Sequence, residues 1–146
     1  MKILVLYSSY MGNTKQLAEQ IVEQIPEAEI QGVVFGRWRI FPHLIGIRGG
    51  NYPILDLTEY DLIYAGGPVW MERPAPGFSR LLKNLDLEGK QIKCFSRAGS
   101  GHAKLVTEKL EKLASEKKFE LVKSVIISGK DTSETVEEKI KDLIAS

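Results

Sequence analysis

Residues 8–14, with the sequence SSYMGNT, gather hydroxyl and amide side chains around one glycine. They follow an apolar run over 2–7 and precede a helix-like run over 15–25. The first N–H groups of a helix lack an intrahelical acceptor and carry positive potential from the helix dipole, so a phosphate is well placed there. Gly12 would allow a positive φ or close backbone approach, and further donors would come from Ser8, Ser9, Asn13 and Thr14. We expect a phosphate-binding loop; ordinary helix capping, the alternative, needs only one such residue.

A second stretch with chemical potential is AGGPVWMERPAPGF, residues 65–78. Gly66, Gly67 and Pro68 predict a tight exit from a strand, and Trp70 and Met71 follow in a region expected to be exposed. Beside a phosphate site, tryptophan can stack on a planar aromatic ligand and a thioether can pack against its ring. The alternative is that Trp70 folds back into the core.

A third stretch, FSRAGSGHAK at residues 95–104, is rich in glycine and offers backbone amides to the carbonyl oxygens of a ring system. Ser96, Ala98 and Gly99 are suited to close contact with a ligand, whereas Arg97 and His102 could face either the ligand or the solvent.

Other phosphate-binding motifs are missing from the sequence: there is no G-x-x-x-x-G-K-[ST] and no complete G-x-G-x-x-G.

The elements that must position these three stretches alternate along the chain. Short aliphatic runs predict strands, and apolar residues at helical spacing predict helices between them. The strands are expected at 2–7, 30–35, 61–67, 91–95 and 120–128, and the helices at 15–25, 78–85, 106–113 and 136–144. This alternation predicts an α/β fold: a doubly wound five-stranded parallel sheet in the order 2-1-3-4-5, formed by one domain over 1–146.

In such a sheet the ligand lies at the carboxyl ends of the strands, near the switch point between the first and third strands. The loops 8–14, 66–75 and 96–102 all follow strands at that edge. We therefore expect the three stretches to meet.

Residues 36–53 interrupt the alternation and look too long for a plain connection. From Ile30 to Leu55 there is no acidic residue, while Arg37, Arg39 and Arg48 are present. One interpretation is a short helix or loop that packs its aromatic side chains on the sheet; the other is a basic flap that faces an anion or a partner.

Composition narrows the class of protein. The chain has 146 residues, a formal net charge of +1, and 43% hydrophobic and 27% charged residues, as a soluble globular domain has. The charge does not favour nucleic acid as a partner, and no apolar run approaches the roughly 18 residues needed to span a bilayer. A single cysteine, Cys94, excludes an intrachain disulfide and any multi-cysteine metal site. It lies in the middle of a predicted strand, so we expect it to be a small buried hydrophobe and not a nucleophile. We expect a cytoplasmic protein.

Taken together, the three stretches resemble the flavodoxin family over nearly the whole chain. Ser9 to Thr14 is similar to that family's phosphate loop, usually [T/S]-x-T-G-N-T, and Gly66 to Trp70 is similar to its loop after the third strand. The resemblance implies non-covalent flavin mononucleotide (FMN) and one-electron transfer. It implies that Ser9, Gly12, Asn13 and Thr14 hold the phosphate, that Pro68, Val69 and Trp70 line one face or edge of the ring, and that Ser96, Arg97, Ala98 and Gly99 meet its pyrimidine end. Ser8, Tyr10, Met11 and Met71 complete the expected cofactor site.

Three features depart from the family pattern. Met11 replaces a threonine and removes one phosphate donor, and the third loop lacks an aromatic residue to stack on the second flavin face. The third departure is charge, because well-known carriers of this family are acidic. Arg73 and Arg97, if they lie near the ring, would attract the anionic reduced flavin and make its potential less negative.

These observations favour an electron carrier without catalytic residues, because the cofactor supplies the chemistry. Its partners would be redox proteins, and it would be a monomer or weak dimer. The alternative is an FMN-dependent NAD(P)H:quinone or flavin oxidoreductase, which an open flavin face would favour. Whether the protein is an enzyme therefore stays open at this point. A phosphoacceptor signalling domain is disfavoured, because Ser8-Ser9 and Gly66-Gly67 stand where its acidic residues would be needed.

Overall fold

The computed structural model describes residues 2–10, 12–35, 56–100 and 102–146. The strands are β1 (Lys2–Tyr10), β2 (Glu29–Phe35), β3 (Tyr60–Trp70), β4 (Arg73–Pro74), β5 (Gln91–Ala98) and β6 (Glu120–Ser128). The helices are α1 (Asn13–Gln24), α2 (Pro76–Lys83), α3 (Val106–Lys117) and α4 (Ser133–Ala145). The predictions for Met11 and for the basic segment 36–53 lie outside the described residues.

The long strands form a parallel sheet in the order β2-β1-β3-β5-β6. In order of the five main strands this is 2-1-3-4-5, so the predicted fold class is confirmed. The short strand β4 was not predicted; it pairs antiparallel with the end of β3, with Trp70 opposite Arg73. The sequence signal for β4 is weak because the strand contains only two residues, one of them Pro74.

The sheet is buried on both faces, as its aliphatic strands predict. One apolar cluster joins the sheet to α2 and α3 through residues such as Leu81 and Leu110. The other joins it to α1 and α4 through Ile21 and Ile140. Two helices on each face make the arrangement doubly wound and leave the ends of the strands exposed for loops.

Three strands extend further toward the carboxyl edge than the sequence predicts. β1 continues through Tyr10, β3 through Trp70 and β5 through Ala98, so Ser8, Ser9, Ser96 and Pro68 belong to strands and not to loops. The predicted tight exit at Gly66-Gly67 is wrong. Periodicity missed this extension because glycine, proline and serine normally indicate turns.

The two glycines within β3 serve packing. A Cβ atom at position 66 would lie 2.0 Å from the Phe95 ring, and one at position 67 would lie 2.2 Å from the Phe78 ring. Phe95 and Phe78 belong to the apolar clusters on opposite faces of the sheet. Gly66 and Gly67 therefore let one aromatic ring approach the strand from each side.

The first two helices differ from the predicted ranges by up to two residues at each end, and α3 and α4 extend beyond theirs, to Lys117 and back to Ser133. Helix α1 begins at Asn13 and not at Lys15, and α2 covers Pro76–Lys83 and not 78–85, because a proline at the first helical position starts it early. Among the residues placed by the structure, no helix is both long and apolar enough to cross a bilayer.

Candidate functional site

A cavity of about 360 Å³ opens at the carboxyl edge of the sheet, where β1, β3 and β5 end. All three chemically distinctive stretches contribute to its wall, as expected from the switch point of a doubly wound sheet. Its lining residues are Asn13, Thr14, Pro68, Val69, Trp70, Met71, Arg97, Gly99 and Ser100.

The wall contributed by α1 is held in place by Ser9. The buried hydroxyl oxygen of Ser9 accepts hydrogen bonds from the backbone nitrogens of Thr14 and Lys15, at N–O distances of 3.1 and 3.2 Å. The helix itself is preceded by Gly12, with φ +87° and no side-chain cap of its own. Ser9 therefore caps α1 from the end of β1, and the positive φ expected at Gly12 is confirmed.

Thr14 supplies an unusual polar group to the cavity. Its side chain is completely buried, and its hydroxyl oxygen has no hydrogen-bond partner among the described residues. A buried hydroxyl without a partner costs about 1–3 kcal/mol. An anionic oxygen in the cavity would satisfy this group at the N-terminus of a helix, where the dipole also favours negative charge. These features fit a phosphate.

The second wall consists of the end of β3 and the turn that follows. Trp70 is half-buried, so it neither projects freely nor folds into the core, and Met71 is 86% exposed. Met71 and Glu72 both have positive φ, 54° and 63°, as the central residues of a two-residue hairpin turn of type I′ do. The hydrogen bond from Ala75 N to Pro68 O, 2.9 Å long, closes this hairpin.

The third wall includes Arg97, whose guanidinium lies against the turn after β6. A Cβ atom at Gly129 would lie 2.5 Å from the backbone oxygen of Gly99 and 3.0 Å from Nη1 of Arg97, so the close backbone contact requires glycine and the guanidinium packs beside it. In the same turn, the carboxylate of Asp131 accepts hydrogen bonds from Lys139 Nζ at 2.6 Å and from Ser128 N at 2.9 Å. The Lys139 ammonium, the Ser128 amide and the charge of Arg97 together lower the pKa of Asp131.

The other residues predicted to bind the cofactor are placed as follows. Ser8 and Ser9 are buried in β1 beneath the α1 terminus, and neither lines the cavity. Ser96 and Ala98 are buried in β5 and do not line it either; Ser96 Oγ has no hydrogen-bond partner among the described residues. Side chains alternate along a strand, so the side chain of Arg97 faces the cavity and the side chains of Ser96 and Ala98 face the opposite side of the sheet. Their role in binding, like that of Tyr10, stays a prediction.

Sequence reasoning missed two contributors to this edge. Ser100 lines the cavity, and the 128–131 turn positions Arg97. Ser100 belongs to the predicted third stretch, where the glycines gave no reason to prefer it over its neighbours. The 128–131 turn follows the predicted fifth strand, which ends at the same carboxyl edge, and that position is the signal for it.

Cys94 and Arg73, which could have suggested other chemistry, do not line the cavity. Cys94 is completely buried in β5, and burial raises the pKa of its thiol to about 12, so it stays protonated. The prediction that Cys94 is a small hydrophobe is therefore confirmed. Arg73 is exposed on β4 and is not among the lining residues, so of the two predicted arginines Arg97 is the one at the cavity.

Comparison with known proteins agrees with this geometry. Residues 4–146 match a family model described as a flavodoxin domain. No curated protein matches the chain.

Solved structures of similar architecture include Flavodoxin 2 from Bacillus cereus, which is 26% identical with a TM-score of 0.64, over 99% of this chain and 97% of that one. Flavodoxin 1 from the same organism is 22% identical with a TM-score of 0.63, over 99% and 95%. A flavoprotein in complex with FMN from Lactobacillus acidophilus is 23% identical with a TM-score of 0.67, over 86% and 92%. The family match spans nearly the entire sequence, and the cavity lies where the fold places its ligands, so the chain belongs to the flavodoxin domain family.

Proposed function

We propose that this protein is an electron carrier that binds FMN without a covalent bond and exchanges electrons with redox partner proteins. The observation that carries the proposal is a single cavity in which the unpartnered Thr14 hydroxyl and the half-buried Trp70 both take part. The first suits a phosphate and the second suits an aromatic ring. FMN joins both groups in one molecule, and it is the cofactor named for the Lactobacillus relative.

The phosphate would be held by the first turn of α1. The Thr14 hydroxyl would donate a hydrogen bond to the phosphate, Asn13 is exposed beside it, and the helix dipole adds positive potential. Among the described residues, nothing lies within 4 Å of a Cβ built on Gly12, so they leave the backbone there open to a ligand. Hydrogen bonds to a charged group contribute about 1.5–3 kcal/mol each, so a few suffice without an arginine.

The ring would be held between the β3 wall and the β5 wall. Pro68, Val69 and Trp70 offer apolar surface on one side, and Arg97, Gly99 and Ser100 lie on the other. FMN supplies the redox chemistry when bound, and the protein sets its exposure and potential. The positive charge of Arg97 favours the anionic reduced form, which makes the reduction potential less negative. The nearby Asp131 carboxylate moderates this effect.

An absorbance spectrum of the purified protein tests the proposal directly. We expect flavin bands, or quenching of the fluorescence of added FMN, followed by reduction in separate one-electron steps. Replacing Arg97 by Ala should make the second step occur at a more negative potential. Protein that stays colourless and leaves FMN fluorescence unchanged would contradict the proposal.

The same preparation distinguishes the oxidoreductase alternative. A carrier should not oxidise NADPH in steady state without a partner protein. Sustained NADPH oxidation by the FMN-loaded protein alone, with a quinone as acceptor, would instead establish an FMN-dependent oxidoreductase.

A further inference from the structure

The cavity mouth displays an apolar side chain that the fold does not bury. Met71 is 86% exposed, whereas Ile30, the next most exposed large hydrophobic residue in the described ranges, is 38% exposed. Met71 and Glu72 both have left-handed backbone conformations, which cost about 1–2 kcal/mol per residue without glycine. The turn is nevertheless fixed, because Leu105 N donates a hydrogen bond to Glu72 O at 3.0 Å. The structure therefore holds a methionine out into solvent in a strained conformation.

Basic residues outnumber acidic ones at this edge of the sheet, where Arg73, Lys104, Lys130 and Lys139 accompany Glu72 and Asp131. A second, shallow cavity of about 580 Å³ lies beside the first, on the other side of the turn, and its wall includes Lys104, Lys139 and Glu72. Lys139 is paired with Asp131, whereas Lys104 forms no ion pair with any residue in the described ranges. Arg73 on β4 and Lys130 in the turn after β6 are exposed at the same edge of the sheet.

The opposite edge of the sheet has the reverse charge. The loops that enter the strands there carry more acidic than basic residues: Glu27, Asp56, Glu59, Asp86 and Glu88 against Lys90 and Lys118. A formal net charge of +1 therefore conceals a polarised distribution, positive near the cavity and negative at the far edge. Such a distribution orients an approaching charged molecule.

We propose that the Met71 surface, defined as Met71 with Arg73, Lys104 and Lys130, is the docking surface for an acidic redox protein. This inference rests on the proposed electron-carrier function and adds the charge of the partner. An exposed apolar centre with a charged rim is the usual composition of a protein interface. Opposite charge on the partner raises the association rate more than the affinity. Docking here brings the partner to the mouth of the FMN cavity, which is the geometry that electron transfer requires.

The test uses the FMN-loaded protein with two probes of opposite charge, an acidic plant-type [2Fe–2S] ferredoxin and a basic cytochrome c. Stopped-flow absorbance measures the second-order rate at which reduced ferredoxin gives one electron to the oxidised flavin, and at which the reduced flavin gives one electron to cytochrome c. We expect the ferredoxin rate to fall as salt is raised from about 20 to about 500 mM, because salt screens attraction. The cytochrome c rate should rise or stay constant.

Charge reversal localises the effect. Lys104→Glu with Lys130→Glu should lower the ferredoxin rate about tenfold at low salt and flatten its salt dependence. Lys112→Glu with Lys109→Glu is the matched control, because these residues lie on α3 away from the Met71 surface and the net charge changes equally. Met71→Ser should lower the ferredoxin rate at every salt concentration, since it removes the apolar centre.

Three outcomes would overturn the proposal. The first is an equal salt response with both probes, and the second is an equal effect of the control pair. The third is a reversal variant that weakens inorganic pyrophosphate binding but leaves the ferredoxin rate unchanged, which would make the second cavity a small-anion site. If the protein binds no FMN, the proposed function fails separately. An NMR titration of the flavin-free chain with ferredoxin still tests the surface through the amide signals of Met71, Lys104 and Lys130.

Discussion

The buried hydroxyl oxygen of Ser9, near the end of β1, lies 3.1 Å from the backbone nitrogen of Thr14, which donates a hydrogen bond to it. The same oxygen also accepts from Lys15, so one strand residue fixes the first turn of α1. Since a hydroxyl that accepts twice still has its own proton to donate, Ser9 can hold the helix without losing its donor.

Ser9→Ala should therefore weaken both the fold and the cofactor site. Loss of a cap of this kind costs about 0.5–2 kcal/mol of unfolding free energy. We expect FMN affinity to fall as well, because the first turn of α1 loses its anchor. Urea unfolding and FMN fluorescence titration measure the two effects. Thr132→Ala is the control: Thr132 Oγ1 accepts from Thr135 N at 3.2 Å, so its loss should lower stability similarly with FMN affinity unchanged.

Thr14→Val should lower FMN affinity without lowering the stability of the flavin-free protein. The variant keeps the side-chain shape but removes a buried hydroxyl that has no partner among the described residues, so the flavin-free protein should be as stable or slightly more stable. FMN affinity should fall about tenfold or more, because a hydrogen bond to a charged group is worth about 1.5–3 kcal/mol. Thermal unfolding and fluorescence titration provide the two measurements.

Ser96→Ala provides the matching comparison, since Ser96 Oγ is also buried without a partner but does not line the cavity. This variant tests the binding role that the sequence predicts for Ser96. A loss of FMN affinity as large as that of Thr14→Val would support that role, and an unchanged affinity would contradict it.

Gly12→Ala should affect the site through backbone conformation. Gly12 has φ +87°, and no atom of the described part of the chain lies within 4 Å of a built Cβ, so the substitution strains the backbone without causing a clash there. We expect a loss of stability of about 1–2 kcal/mol and weaker FMN binding. Gly89→Ala has the same kind of strain, at φ +76°, in a turn at the opposite edge. It should lose stability equally and bind FMN normally; equal FMN affinity in both variants would contradict the assignment of the phosphate to this loop.

Gly66→Ala should destabilise the fold much more than Gly99→Ala does, because its Cβ would lie 2.0 Å from the Phe95 ring inside the core. Overpacking of this kind typically costs about 1–3 kcal/mol, occasionally more. Gly99→Ala, whose Cβ would meet only Arg97 Nη1 at 3.9 Å, should be nearly neutral for stability. Chemical denaturation compares the two, and partial rescue of Gly66→Ala by Phe95→Leu would identify the clash as the cause.

The Asp131–Lys139 pair should make stability depend on acid pH. The pKa of Asp131 is lowered in the folded protein, so its contribution is present above the unfolded value of about 3.9 and is lost as the pH falls through the lowered folded value. Asp131→Asn should therefore be less stable than the parent at pH 7, with the gap closing below about pH 4. Asp142→Asn removes an ion pair whose carboxylate side chain is 63% exposed and should cost less at pH 7. A constant gap across this pH range would count against the Asp131 interaction.

The sequence by itself determined the fold class, the order of the strands and the region of the site. Aliphatic runs and helical spacing depend on local periodicity, and parallel strands joined by helices must end at a common edge. The left-handed conformation of Gly12 and the burial of Cys94 followed from the chemistry of those residue types at their positions.

Only the tertiary structure decided where the strands end and which side chains face the cavity. Gly66 and Gly67 indicate a turn in local sequence, yet they continue β3, because the rings of Phe95 and Phe78 occupy the space that side chains would fill. The capping of α1 by Ser9 and the contact of Arg97 with the 128–131 turn join residues that periodicity does not relate. Such contacts depend on the register of neighbouring strands, where a shift of one residue exchanges the two faces of the sheet.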